Sequence, residues 1–254
     1  MKSAQLLSIL LLLTLSISCR KDASEELPIR GSVDIHFAPM VDDLPMDFVT
    51  MYQNSSGEDY TIKSFRFYIH KIKFLKTGGQ LPITAEQNHY LIDAQAPPSQ
   101  SIRIKVPEGE YNGIGFTIGV DSIFNVSGAQ DGSLDPAKGM FWTWSTGYIM
   151  AKFEGSSPVS NQPGNRFEYH IGGFKGADNV VKEIQVPFPG GTTLQVREGQ
   201  TGTVNLKADA NKWFNGKSVI KIAEHPVAMT PGVLSQAFAE NYYRMFSVTG
   251  VENN

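Results

Sequence analysis

The sequence predicts an all-β fold: one antiparallel β-sandwich or barrel-like domain with a single C-terminal helix. Three observations carry that prediction. Apolar and polar residues alternate with period two in one segment after another, turn-forming clusters separate those segments about every ten residues, and helical spacing is convincing in only one place.

The alternation begins with Val33, Ile35 and Phe37 on one face and Asp34 and His36 on the other. It returns with Phe65, Phe67 and Ile69 against Ser64, Arg66 and Tyr68. Further strands are expected over residues 89–93, 101–106, 111–119, 147–153, 166–172, 180–186, 192–196 and 201–207. Between them lie clusters such as Lys76-Thr77-Gly78-Gly79, Pro107-Glu108-Gly109 and Pro187-Phe188-Pro189-Gly190-Gly191, which favour turns. In the expected helix, Thr230 serves as cap and Pro231 fits the first turn. Val233, Leu234, Ala237, Phe238, Tyr242 and Met245 then recur at helical spacing, before a strand-like Phe246-Ser247-Val248. No repeat or second linker interrupts residues 31–254, which read as one domain.

The N-terminus carries a different message. Lys2 precedes an apolar run that begins at Leu6, and the segment closes on Leu15-Ser16-Ile17-Ser18-Cys19, so residues 1–18 read as a secretory signal peptide. The run is too short to remain as a membrane span. Its end resembles a lipobox, which implies cleavage before a lipid-modified Cys19; an ordinary cleaved signal is the alternative. Cys19 is the sole cysteine, so the thiol has no disulfide to make and anchoring suits it better than redox chemistry. Residues 19–30 then form a polar, lipidated tether that holds the domain at a membrane of the cell envelope, facing the periplasm or the outer surface. Loss of Lys2 with the signal takes the formal charge from −3 to −4, mild and mixed enough to imply no nucleic-acid partner.

The segment from Gly119 to Tyr148 joins two expected strands and is long for a connection within a compact domain, a length more often functional than idle. Trp142 and Trp144 alternate within it, so an extended chain would turn one inward and one outward. Asp121, Asn125, Asp131 and Asp135 could offer oxygens to a hard cation, or serve as turn-forming residues. Gly-x-Ser-x-Gly, phosphate-binding glycine loops and His-Glu-x-x-His are all absent, so the chain reads as a non-enzyme.

Several segments together resemble the MbnP-like copper-binding family: Arg66-Phe67-Tyr68-Ile69, Tyr90-Leu91-Ile92-Asp93, the stretch from Gly119 to Gly155, and Phe167-Glu168-Tyr169-His170-Ile171-Gly172-Gly173. The resemblance implies an exported β-rich protein of the kind found as lipoproteins in the Bacteroidota, with copper as cofactor. It further implies a dihaem cytochrome c peroxidase-like partner that oxidises a tryptophan to a copper-binding kynurenine, for which Trp142 and Trp144 are the candidates. Imidazole suits copper, so histidines are the ligands to seek. His170 lies in a matching motif and precedes Gly172-Gly173, where the backbone can turn around a site. His225 stands near a strand end with Met229 close by, and His36 sits on the polar face of the first strand, where a solvent-facing role is the alternative. His70 and His89 fall inside strand patterns and are expected to be structural or surface residues. The rival reading is a metal-free binding module that displays a Trp-bearing loop to a carbohydrate or protein partner.

Overall fold

The computed structural model describes residues 29–79, 82–142 and 147–254. Cys19, the signal segment, most of the tether and Trp144 lie outside the described residues. Within them, the alternating segments form two sheets, one of five strands and one of eleven. The first strand, Arg30–Val41, buries Val33, Ile35 and Phe37. It pairs antiparallel with Ser101–Pro107 on one side and parallel with Thr201–Asp209 on the other. Phe246–Glu252 extends the same sheet beside Thr201–Asp209, several residues beyond the expected Phe246-Ser247-Val248.

The larger sheet is organised by one long strand, Asp59–Lys76. It is flanked by Gly109–Ile118, Tyr90–Asp93 and Ile83–Glu86 toward one end and by Gly147–Ser156 toward the other. Lys182–Pro187 and Leu194–Val196 add to Gly109–Ile118, while Arg166–Gly172 adds to Gly147–Ser156. The fold is therefore all-β, as the alternation predicts, but not wholly antiparallel. Arg30–Val41 runs parallel to Thr201–Asp209, and Arg166–Gly172 runs parallel to the short Val227–Ala228. Both pairings join segments separated by long connections, which parallel neighbours require and alternation does not reveal.

The faces of the two sheets meet through phenylalanines. Phe37 and Phe246 of the smaller sheet interlock edge-to-face with Phe67 and Phe116 of the larger, with centroids 5.0–6.3 Å apart across this set. A second aromatic cluster centres on Phe153, packed against Tyr60, Phe65, Phe167 and Trp213. The predicted helix is Val233–Tyr242, and it covers this cluster: Phe238 stacks at 4.3 Å on Tyr169 and Tyr242 lies 4.9 Å from Trp213. Its cap differs from expectation. Gly232 holds the N-cap position without a side-chain cap, and Thr230 contributes its carbonyl, which accepts from the Ser235 hydroxyl at 2.6 Å.

The long connection after Gly109–Ile118 is built rather than open. It contains the one-turn helix Ser122–Val126, too short to show a periodic signal in sequence, and single turns at Gly132–Leu134 and Pro136–Lys138. Tyrosines and basic side chains strap it to the outer face of the large sheet. Tyr68 and Tyr148 donate to the carbonyls of Ser133 and Leu134, and Arg66 and Lys152 donate to those of Lys138 and Gly139.

Candidate metal centre

Three sequence-distant side chains converge where the long strand meets this connection. The hairpin that reverses near Gly78-Gly79 pairs Ile69 with Tyr90, which sets His70 beside His89. Their rings stack, with centroids 4.5 Å apart and planes 18° apart. On the opposite side His70 pairs with Thr117, and two residues later the chain leaves the sheet at Gly119, whose φ of +108° lies in the region that favours glycine. This departure carries Asp121 back over His70, with Asp121 Oδ1 3.0 Å from His70 Nε2. The donor atoms of His70, His89 and Asp121 all lie within 4.8 Å of one another, and they form the sole such group of three among the described residues.

The surroundings fix the chemistry of each donor. His70 Nδ1 lies 3.0 Å from the Gly119 carbonyl, which can only accept, so the neutral ring carries its proton on Nδ1 and presents the lone pair of Nε2. A histidine whose second nitrogen is bound to a carbonyl is the usual support of a metal ligand. Burial lowers the pKa of His70, against the opposing pull of Asp121. Burial and the neighbouring His70 lower that of His89 to about 4, so both rings are neutral at pH 7. Neither buried Nε2 has a hydrogen-bond partner. His70 Nε2 does lie 3.0 Å from Asp121 Oδ1, an oxygen that also accepts from Lys71 Nζ at 2.8 Å. Two imidazole lone pairs beside a carboxylate are a donor set that can hold a metal ion.

Asp121 is held in its charged form. Burial raises its pKa, but the hydrogen bond and charge of Lys71 oppose burial, and the net shift is downward. Its backbone is clamped by buried Asn125, whose side-chain amide donates to the carbonyls of Val120 and Asp121 and accepts from Tyr148 N–H. Phe124 of the same short helix packs edge-on against His89 at 4.7 Å. Ser133 donates to the carbonyl of His89 at 2.6 Å, so the strapped loop positions this residue too. The centre opens on a cleft of about 670 Å³ lined by His89, Asp121, Phe124 and Asp131.

Comparison with known proteins decides the family. A family model described as MbnP matches residues 30–231. The chain belongs to the MbnP family. Among solved structures, MbnP from Methylosinus trichosporium is similar at 15% identity and a TM-score of 0.48, over 88% of this chain and 99% of that one. No curated protein matches.

In this MbnP-family chain the expected ligands lie apart from the cluster. His170 is buried on Arg166–Gly172, but its Nε2 donates to Glu154 Oε1 at 2.6 Å in a polar patch on the outer sheet face. His36 bonds Ser101 Oγ through Nδ1 at 2.8 Å, in keeping with its strand-face alternative. His225 is exposed in a turn, with its N–H bonded to the Lys221 carbonyl. None of the three belongs to a group of three donors among the described residues. Trp142 points inward, 5% exposed and packed against Gly172, where any side chain would overlap its ring. Of the loop oxygens, Asn125 and Asp135 are engaged in backbone hydrogen bonds and only Asp121 joins the cluster.

His70 and His89, expected to be structural or surface residues, are the two histidines that the fold brings together with a carboxylate in a group of three among the described residues. A hairpin folded about the recognised Gly78-Gly79 turn brings the returning strand back beside the long one, but it would set residue 70 opposite residue 87; shifts of register between the Phe74–Ile83 pair and the Ile69–Tyr90 pair carry His89 to His70, and alternation does not reveal them. Glu154, meanwhile, allows a test of the role of His170. The hydrogen bond from His170 lowers the carboxyl's pKa, and burial only partly offsets this. A group with a depressed folded pKa stabilises the fold above its unfolded value and loses that contribution as pH falls through the folded one. Glu154→Gln is therefore expected to cost about 1–2 kcal/mol at neutral pH and to flatten the loss of stability below the usual carboxylate range. Urea unfolding at a series of pH values measures both, and copper affinity should stay unchanged.

Proposed function

We propose that this chain is a copper-binding protein of the cell envelope that takes part in copper uptake or handling, with the ion held at His70 and His89 beside Asp121. One observation carries the reading: a buried and a half-buried imidazole, both neutral, bring ring nitrogens within 4.8 Å of each other and of a charged carboxylate, in a chain of the MbnP family. A bound ion would accept the lone pairs of the two imidazoles, and imidazole nitrogen is a donor copper favours. The chain's own residues supply preorganisation. Gly119 fixes the His70 tautomer, Ser133 and Phe124 hold His89, and Asn125 holds Asp121. In the same proposal Cys19 carries the lipid that anchors the domain, and a dihaem peroxidase-like partner oxidises Trp142 or Trp144. The intact mass of protein from its native envelope reads both modifications.

The rival metal-free module loses support at Trp142, which is buried rather than displayed. The test is titration of the full chain with Cu(I) against a chromophoric chelator. The proposal expects one ion per chain, and an absence of uptake would end it.

A further inference from the structure

The long strand carries one extra residue beside the metal centre. Its pairing with Gly109–Ile118 links His70 to Thr117 and resumes at Lys73 with Gly115, three steps on one strand against two on the other. This is a β-bulge, a device that re-aims side chains and recurs next to functional sites. Within it Lys71 has φ of +52°, a left-handed conformation that costs a long side chain free energy. In a regular strand His70 and Lys71 would point to opposite faces. Here both reach one atom: Lys71 Nζ lies 2.8 Å from Asp121 Oδ1, the oxygen that lies 3.0 Å from His70 Nε2.

The consequence is a count of charge. Two neutral imidazoles, one carboxylate and one ammonium sum to zero at the centre, and the carboxylate oxygen nearest His70 is already engaged by the ammonium. A divalent ion favours three or more protein donors, and the third member of this group is the Asp121 carboxylate, which the ammonium already holds through Oδ1. It would also feel twice the repulsion from the ammonium that a monovalent ion feels at equal distance. Resting on the metal reading above, we propose that Lys71 is a specificity-determining residue of this centre. It holds Asp121 as a counter-charge rather than a ligand, so that the site takes monovalent copper on His70 and His89 and disfavours divalent ions.

The test uses the full chain as wild type, Lys71→Met and Lys71→Arg. Each is titrated with Cu(I) against a chromophoric chelator and with Zn²⁺, a redox-inert divalent ion, against a fluorescent one. Methionine keeps a long, unbranched side chain and adds no new backbone strain, and thermal unfolding checks that each variant is folded. Lys71→Met should gain about tenfold or more in Zn²⁺ affinity, with Cu(I) affinity changed by less than about threefold. Lys71→Arg, which keeps the charge, should preserve the wild-type ratio. Cu(I) uptake with a Cu(I)-to-Zn²⁺ ratio unmoved by Lys71→Met overturns the role of Lys71 alone. Failure of the wild type to take up Cu(I) overturns the metal reading and this proposal with it.

Discussion

Replacing His89 with alanine is expected to lower copper affinity by about 100-fold or more, while the folded domain persists. The two consequences separate because His89 contributes little to the fold. Its buried Nε2 has no hydrogen-bond partner, so truncation strands no polar group. What is lost in packing is the stack on His70 and the edge contact with Phe124, worth about 1 kcal/mol. In a chain of this size that shifts the melting temperature by about 2–4 °C. His70→Ala is a poorer probe, since it would also orphan the Gly119 carbonyl and leave a cavity in a fully buried position. Chelator competition and thermal unfolding on the His89→Ala protein read the two effects. A variant that binds copper as the wild type does would remove His89 from the centre.

Gly119→Ala is expected to damage stability and site together. The φ of +108° there is strained for any side chain, and a Cβ would meet Met150 Sδ and Val181 Cγ2 at 3.2 Å each. Left-handed strain and forced repacking in the core sum to roughly 3 kcal/mol. The displaced backbone also carries the carbonyl that fixes the His70 tautomer and leads directly to Asp121, so copper affinity should fall by about tenfold or more even below the melting transition. Denaturant unfolding gives the first effect and chelator competition the second. If affinity stays intact in a destabilised protein, the carbonyl of Gly119 does not organise the centre.

Much of the framework was legible because alternation reports burial directly. Val33, Ile35 and Phe37, then Phe65, Phe67 and Ile69, are buried as their spacing predicts. The C-terminal helix was legible for the same reason, at its own period. Strand direction was not, since a period-two pattern looks the same in a parallel and an antiparallel neighbour, as Arg30–Val41 beside Thr201–Asp209 illustrates. The centre was less legible still. His70 sits in a run that reads only as a strand, His89 is reached by folding a hairpin, and Asp121 depends on a glycine exit and a one-turn helix. His170 drew attention because its motif matched the family and glycines followed, yet its nitrogen is satisfied by Glu154 across neighbouring strands, a partner set by register rather than by local sequence.

The central claim is that the copper donors are His70 and His89. Anomalous diffraction at the copper edge, from crystals of the copper-loaded chain, locates the ion without assumptions. The account predicts one peak between His70 Nε2 and the His89 ring, beside Asp121. A peak at His36, His170 or His225 instead, or an ordered domain with no copper peak, would contradict it.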